Sequence, residues 1–262
     1  MFANPKLRSC PSVPFRLQSG LFSMPSRLIR FGLSRVPLIF NRIIGLTGYK
    51  LVKDVPYIYL HEYSSYEEYA EIQRFHNRRK LDKVFADIST LDSIREVITS
   101  RIPQSNGTIL SGICHGARNG YEVKYFNDSL PSCSVIGTDI SDTALDFENM
   151  VVWDFHDENH EWTGSMDFVY TNSLDQSWKP YDAIDTWLKQ LKPNGLLFIE
   201  HTRKHGVEAA CEMDPFGVLP EFMPYLLCER FGNRIALEII KSTKSNLKEI
   251  DAWIFVVRKC SV

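Results

Sequence analysis

From residue 108 onward, short apolar segments alternate with segments rich in helix-forming residues. The apolar segments have the length and the β-branched and aromatic content of strands. They are TILSGIC (108–114), CSVIGTDI (133–140), MVVWDF (150–155), MDFVYTNS (166–173) and GLLFIEHT (195–202). Helices are predicted between these strands, from about residue 118, from Ser141 and over 181–192. This alternation predicts a parallel sheet with helices on both faces.

The last part of the chain breaks the alternation. NRIALEIIKS (233–242) and DAWIFVVRK (251–259) have the character of strands, and the polar loop between them is too short for a crossover helix. These two strands are therefore expected to form an antiparallel hairpin. The whole pattern predicts an α/β fold with a Rossmann-like, doubly wound, seven-stranded sheet that ends in a C-terminal antiparallel hairpin.

The chain is predicted to have three regions. They are a basic amphipathic N-terminal segment (1–55), a helical lid or cap region (56–104) and the main domain (105–262). Within the helical region, 64–85 and 89–102 are rich in helix formers. The first of these opens with a serine that is followed three residues later by a glutamate, which is a capping-box pattern.

Charge is distributed unevenly along the chain. The net charge of −2 includes +9 from lysines and arginines before residue 54, where no acid occurs, and this leaves −11 for the rest. In a predicted helix over 25–46, four arginines fall on one side. This helix either lies on an anionic membrane surface or a charged partner, or packs on the main domain with its arginine face in solvent.

No apolar run reaches the ~20 residues that span a bilayer, so the expected location is the cytoplasm, with a peripheral position on the inner face of the membrane as the alternative. The cysteines are scattered and form no CxxC pair, so we expect neither a metal site nor a disulfide framework. No nucleic-acid partner is expected, and the sequence leaves the oligomeric state open.

The stretch GICHGARNGYE (112–122) follows the first strand of the main domain and supplies two glycines, Gly116 and Gly120. Asp139 ends the next strand, where an acid can accept hydrogen bonds from both hydroxyls of a ribose. Two other interpretations stay open here. The glycines can form a simple tight turn, and Asp139 can cap the helix that begins near Ser141.

Asp154 and Phe155 follow the third strand, in VVWDFHD (151–157). In order, these motifs resemble those of the class I S-adenosylmethionine-dependent methyltransferases over about residues 107–259. The resemblance implies that Asp139 binds the ribose, that Asp154 binds the adenine amino group and that Phe155 covers the ring. Cys114 replaces an acid of the family's motif, and Arg118 replaces its middle glycine. The implied cofactor-binding residues are Cys114, His115, Gly116, Arg118, Gly120, Asp139, Ile140, Asp154, Phe155 and Asn172.

The ends of strands four and five supply the candidate catalytic residues. YTNSLDQSWKP (170–180) offers Asp175 and Gln176, and FIEHTRKHG (198–206) offers His201, which we expect to lie beside them. Methyl transfer needs an acceptor held in line, and a hydroxyl acceptor also needs a base. His201 is the first candidate for that base, followed by His156 and His115. The alternative is that His201 is a hydrogen-bonded structural residue.

More specifically, CHGARNGYE, WDFHD and YTNSLDQSWKP resemble a poorly characterised group of bacterial and phage methyltransferases, often placed among functions that modify surface polysaccharides. That group carries a helix of the type YxxYxxxQxxxNxxK, and here Tyr66, Tyr69, Gln73, Asn77 and Lys80 match it as a polar stripe whose spacing places all five on one face. The stripe is either a lid over the active site or a solvated helix face. A hydroxyl of a sugar or a glycan-related molecule is the expected acceptor.

Two other classes of function stay open. A non-catalytic partner protein with a methyltransferase fold would explain Cys114 and Arg118, which alter the usual cofactor motif. A nicotinamide-dependent oxidoreductase would also have a glycine turn and a downstream acid. The GxGxxG spacing of that class is absent here, and the terminal hairpin is not expected of it.

Overall fold

The computed structural model describes residues 56–103, 108–245 and 250–260, together with the backbone of two short strands, β1 (Phe15–Leu17) and β2 (Leu51–Lys53). The chain divides into two compact units, Met1–Pro56 and Tyr57–Val262. In the first unit, β1 and β2 pair in antiparallel fashion. The amphipathic helix predicted over 25–46 lies outside the described residues. No helix in the described ranges is long and apolar enough to cross a membrane.

The second unit contains the predicted seven-stranded sheet. Its strands are β4 (Leu110–His115), β5 (Cys133–Asp139), β6 (Met150–Val152), β7 (Met166–Thr171), β8 (Leu191–Thr202), β10 (Ile235–Lys244) and β11 (Ile250–Lys259). Their order across the sheet is β10-β11-β8-β7-β4-β5-β6. The pairs from β8 to β6 are parallel, whereas β11 is antiparallel to both of its neighbours. The predicted fold class, including the terminal hairpin, is confirmed.

Helices cover both faces of the sheet. They are α1 (Tyr66–Arg79), α2 (Ile88–Arg101), α3 (Tyr121–Ser129), α4 (Pro180–Gln190) and α5 (Met223–Phe231), with 3₁₀ turns at Asp142–Asp146, Leu174–Gln176 and Arg203–His205. The predicted capping box is present at α1, where Ser65 Oγ accepts from the backbone N of Glu68 at 3.3 Å. The side chain of Glu68 in turn accepts from the backbone N of Ser64, one residue before the position that an ideal box uses.

Two apolar clusters form the core. Trp187, Phe216 and Phe255 belong to one cluster, and Phe126 and Phe168 belong to the other. All five side chains are almost completely buried. Because successive side chains of a strand point to opposite faces, a sheet covered on both sides buries nearly every residue of its central strands. Side chains that meet a ligand are therefore expected at the strand ends.

The structure differs from the prediction at some element boundaries. The third strand ends at Val152 instead of continuing to residue 155, because the chain turns at Asp154, whose Oδ1 accepts from the backbone N of His156 at 3.0 Å. An additional two-stranded sheet pairs β3 (Ile58–Leu60) with β9 (Phe216–Val218) in antiparallel fashion. Helix α5 was also not predicted.

Candidate functional site

The carboxyl ends of β4, β7 and β8 surround a cavity of about 230 Å³. Gly116, Arg118, Asn172, Asp175 and Gln176, all named by the sequence, contribute to its wall. Ligands of open α/β sheets bind beyond this edge of the sheet. The cavity is smaller than the ~300–1,000 Å³ of pockets for drug-sized ligands. It therefore has room for a small molecule or for one part of a larger one.

The loop between β4 and α3 begins and ends with a glycine in the left-handed region. Gly116 and Gly120 both have a φ of 68°. A Cβ at Gly116 would lie 2.5 Å from the Cβ of Ser173, so the close approach of the loop after β7 excludes a side chain there. Gly120 is the N-cap residue of α3. The predicted turn and helix start are therefore both present, with glycine at the positions that favour it.

Arg118 stands in the middle of that loop with a φ of 43°. Its guanidinium lies over the ring of Phe85, with Cζ 5.0 Å from the ring centroid. The residue is only 8% exposed, and its Nε has no hydrogen-bond partner among the described residues. Arg118 therefore brings a buried cation with an unused donor to the cavity wall.

Asp139 ends β5 and is buried. Its Oδ2 accepts from the backbone N of Arg118 at 3.1 Å, and its Oδ1 accepts from the backbone N of Ser141 at 2.9 Å. Burial raises the pKa of this carboxyl, and these hydrogen bonds oppose the rise. Ser141, not Asp139, is the N-cap residue of the following 3₁₀ turn. The neighbouring Ile140 accepts at its backbone oxygen from Arg74 Nε at 3.3 Å.

Asp154 is hydrogen-bonded on both oxygens. Tyr66 donates its hydroxyl to Oδ2 at 2.9 Å, and His156 Nδ1 lies 2.6 Å from Oδ1. Burial would raise the pKa of Asp154, but the hydrogen bonds and the charge of His156 outweigh it, so the pKa lies below its ordinary value. Phe155 is buried in the core, with its ring 5.5 Å from that of Trp187.

His156 also contacts Ser177, with Nε2 2.7 Å from Oγ. Ser177, His156 and Asp154 thus form the same chain of hydrogen bonds as a serine hydrolase triad. Ser177 is completely buried, so its hydroxyl cannot reach a substrate. This chain is structural: it joins the end of β6 to the loop after β7.

The polar stripe of α1 packs on the carboxyl ends of the strands. Tyr69 donates to the backbone oxygen of Gln176 at 3.2 Å, and Gln73 Nε2 donates to the backbone oxygen of Met213 at 3.1 Å. Asn77 Oδ1 accepts from Thr143 Oγ1 at 3.1 Å. Lys80 forms part of the cavity wall, and Tyr66 holds Asp154 as described above. The geometry favours the lid interpretation over a solvated face.

Seven of the ten residues expected to bind the cofactor do not line the cavity: Cys114, His115, Gly120, Asp139, Ile140, Asp154 and Phe155. Two of them lie within strand β4. Cys114 is completely buried in the core cluster that contains Phe126. His115 is also completely buried, with Nδ1 2.8 Å from Thr138 Oγ1 and Nε2 2.8 Å from Gln190 Oε1. Both predictions are wrong because these residues still belong to β4, whose two faces are covered. The suggestion of His115 as an alternative base fails for the same reason.

The prediction of His201 as the base is also wrong. His201 is 1% exposed, its Nε2 hydrogen-bonds the backbone oxygen of Val218 at 2.9 Å, and it is not part of the cavity wall. Burial lowers its pKa to about 3. The alternative stated with the prediction, a structural histidine, describes it better. His156, the second candidate, has both ring nitrogens engaged by Asp154 and Ser177.

His205 reaches the cavity instead. Its Nε2 lies 4.0 Å from Oδ2 of Asp175, whose Oδ1 has no partner among the described residues. Burial lowers the pKa of His205 to about 3, as it does for His201, so the imidazole is neutral at pH 7 and by itself a weak base. Burial also raises the pKa of Asp175 to about 7. His205 belongs to the same segment as His201, FIEHTRKHG (198–206), and no sequence pattern favoured it over His201.

The cavity wall carries charges of both signs. Its acids besides Asp175 are Glu122 and Asp214, and burial raises their pKa values to about 7 and about 6. Its cations are Lys80, Lys83, Arg118, Lys204 and Lys244. Lys244 pairs with the buried Glu200 and donates to the backbone oxygen of Phe85. The described residues contain no cluster of histidine, cysteine and acidic side chains that could hold a metal ion.

No protein-family model matches the sequence, and a search of curated proteins finds no match. Many solved structures match the fold. One is the 1,6-didemethyltoxoflavin-N1-methyltransferase of Burkholderia thailandensis with bound 1,6-didemethyltoxoflavin and S-adenosylhomocysteine. It has a TM-score of 0.57 and 12% identity, over 77% of this chain and 93% of that chain.

Another match is the [4+2]-cyclase SpnF, with a TM-score of 0.55 and 10% identity over 79% of this chain and 99% of that chain. A third is the CurJ carbon methyltransferase, with a TM-score of 0.51 and 13% identity. That match covers 65% of this chain and 54% of the other, so the chain spans about half the length of the CurJ protein. At identities this low, the structural similarity establishes only the fold. It is the Rossmann-like methyltransferase fold.

Proposed function

We propose that the protein is an S-adenosylmethionine-dependent methyltransferase that acts on a small polar acceptor. The observation that carries this proposal is the placement of buried carboxylates at the ends of two adjacent strands, Asp139 at the end of β5 and Asp154 after β6, at the same edge of the sheet as the cavity beyond β4 and β7. Two solved methyltransferase structures share the fold, and one of them contains S-adenosylhomocysteine.

The residues at these strand ends fit such a cofactor. Asp139 would accept from the ribose hydroxyls and Asp154 from the adenine amino group, while the loop 116–120 would adjoin the methionine part. When bound, the cofactor would supply an electrophilic methyl group. Asp154 could take the adenine amino group on Oδ2 only if Tyr66 released its hydrogen bond, so cofactor binding requires a movement of Tyr66, and with it a shift of α1 or a rotation of the side chain, in this proposal.

The residues of the cavity would position and deprotonate the acceptor. Transfer forms a bond from the acceptor oxygen or nitrogen to the methyl carbon while the carbon–sulfur bond breaks. The acceptor proton must leave, and the neighbouring Asp175 and His205 would accept it as a pair, since burial raises the pKa of Asp175 to about 7. Gln176, at the same wall, would orient the acceptor. A hydroxyl of a sugar or glycan-related molecule stays our proposal for the acceptor group, supported by the sequence resemblance.

Calorimetric titration tests the class of protein directly. S-adenosylhomocysteine and S-adenosylmethionine are expected to bind, and NADH is not. Binding of NADH alone would instead identify an oxidoreductase. Failure of all three ligands to bind to the folded protein would refute the proposal.

The second candidate is a non-catalytic protein with a methyltransferase fold. The observation in its favour is that both oxygens of Asp154 are already satisfied by protein groups, with Arg118 in place of a glycine in the loop. Loss of binding to both S-adenosyl ligands would support this candidate. The SpnF cyclase illustrates that the fold is also found in a protein described by a different reaction.

We also propose that the basic segment 1–53 holds the protein at the inner face of the membrane. The support is its charge of +9 without any acid. The full-length protein should sediment with anionic liposomes and dissociate as salt rises, because exposed charges are screened over about 10 Å at 0.1 M. Absence of sedimentation at low salt would count against this proposal.

A further inference from the structure

Two charged side chains at the cavity wall are buried without using all their hydrogen-bonding atoms. Arg118 and Asp175 are each 8% exposed. Arg118 Nε and Asp175 Oδ1 have no partner among the described residues. Buried polar groups are nearly always hydrogen-bonded, and a buried charge without a direct partner is costly. Unused groups of opposite charge on one cavity wall indicate a ligand that supplies both missing partners.

Some cations of the wall have acidic partners and others do not. Lys244 is neutralised by the buried Glu200, and Lys83 pairs with Asp82. Lys80 Nζ contacts His76, with 2.8 Å between Nζ and Nε2, but it forms no ion pair with an acid in the described part of the chain. Lys204 and Arg118 likewise have no acidic partner there. Three cations of the wall are therefore available to a ligand.

Arg118 has the chemistry of an anion-binding residue. A guanidinium binds a carboxylate or a phosphate through two parallel hydrogen bonds. Its plane is also fixed here, because it lies over the ring of Phe85. Arg118 replaces the middle glycine of the family motif that this sequence resembles. A position that usually has no side chain therefore holds the most deeply buried of the three available cations.

Asp175 faces the same cavity and needs a hydrogen-bond donor, whereas Arg118 needs an acceptor. Its free Oδ1 can accept a hydrogen bond, and its Oδ2 lies 4.0 Å from His205 Nε2. A hydroxyl or an amine of a ligand would satisfy Oδ1. The same group would then lie next to the imidazole that the proposed reaction uses as a base.

We propose that the cavity binds the acceptor at two points: a carboxylate or phosphate at Arg118, with Lys80 and Lys204 nearby, and a hydroxyl or amine at Asp175. The acceptor is therefore a small anionic molecule. This inference rests on the proposed methyltransferase function, and its first part, the anion site, can be tested separately.

The test uses the full-length protein without cofactor, titrated calorimetrically with inorganic phosphate and with acetate at low ionic strength. Arg118→Met should weaken anion binding at least about tenfold, since a hydrogen bond to a charged group contributes ~1.5–3 kcal/mol. Arg79→Met is the matched control: Arg79 is exposed, also lies over a phenylalanine ring, and is not part of the cavity wall. Its anion affinity should be unchanged.

Asp175→Asn provides a test of opposite sign and keeps the shape of the side chain. At pH 8, above the pKa of about 7 that burial gives Asp175, removing this negative charge should strengthen anion binding several-fold. Absence of anion binding to the wild type, an Arg118→Met variant that binds like the wild type, or weaker binding by Asp175→Asn would overturn the anion site.

The cofactor itself carries a carboxylate, so the source of the anion must be distinguished. Phosphate is titrated again in the presence of saturating S-adenosylhomocysteine or 5′-methylthioadenosine, which lacks the amino-acid part. Phosphate binding in the presence of both supports an acceptor site. Displacement by S-adenosylhomocysteine alone would assign Arg118 to the cofactor and overturn the acceptor assignment. If neither nucleoside binds, the proposed function fails, while the phosphate titration still reports on the anion site.

Discussion

The hydrogen bond between Tyr66 and Asp154 should compete with the cofactor. Tyr66 donates to Oδ2 at 2.9 Å, and Oδ1 is already held by His156, so Oδ2 is the oxygen that an adenine amino group would have to use. Tyr66→Phe removes only the hydroxyl. A hydrogen bond to a charged group contributes ~1.5–3 kcal/mol, and Tyr66 is 38% exposed, so we take the lower end. Affinity for S-adenosylhomocysteine should therefore rise about tenfold.

Calorimetric titration of wild type and Tyr66→Phe measures this difference. Tyr125→Phe is the matched control, because Tyr125 also donates to a carboxylate, Asp92, at 2.5 Å, between α2 and α3. Its affinity for S-adenosylhomocysteine should equal that of the wild type. Unchanged or weaker affinity in Tyr66→Phe would show that Tyr66 does not block Asp154, and the required movement of Tyr66 would be wrong.

Three further predictions concern single side chains. Asp139→Ala should weaken S-adenosylhomocysteine binding by about 1.5–3 kcal/mol in a protein shown by thermal melting to be folded; equal affinity would remove Asp139 from the site. His205→Ala should lower transfer of labelled methyl by ~10²–10⁴-fold, whereas folded His201→Ala should retain turnover; the reverse result would restore His201 as the base. Burial raises the pKa of Glu122 in the folded protein to about 7, from 4.5. The folded protein therefore holds this proton more tightly than the unfolded chain does, and the stabilisation that results is lost as the pH rises from 4.5 through 7. The free energy of unfolding is measured by chemical denaturation at pH 5 and pH 8. Glu122→Gln should reduce its fall between these two pH values by up to about 3 kcal/mol, and an unchanged fall would contradict the raised pKa of Glu122.

The sheet could be predicted because its signals are local. Each strand from β4 to β8 is a short apolar run bounded by turn residues, and the brief polar loop between β10 and β11 permits only a hairpin. The pairing of β3 with β9 has no such signal. Each of these strands has three residues, and Ile58 pairs with Val218, far away in the sequence. A short strand gains its stability from contacts made after folding, so local patterns miss it.

The site could be predicted only to the level of the strand end. The sequence named Asn172, Asp175 and Gln176 beyond β7, and all three reach the cavity. It could not tell that α1 would use its polar stripe to hold Asp154 and the loop after β7. That contact depends on how a helix packs across the sheet edge, and helix periodicity defines the face but not its partner.

One geometric rule explains which of the candidate residues reach the cavity. In a sheet covered on both faces, a side chain within a strand points into one of the two cores, whichever way it faces. Cys114, His115 and His201 are still within β4 or β8, and all three are buried away from the cavity. Arg118 and His205 lie three residues beyond the same two strands, and both reach it. For this fold, a candidate acid, base or ligand-binding residue should therefore be sought at the last residue of a strand, as with Asp139 and Thr202, or a few residues past it.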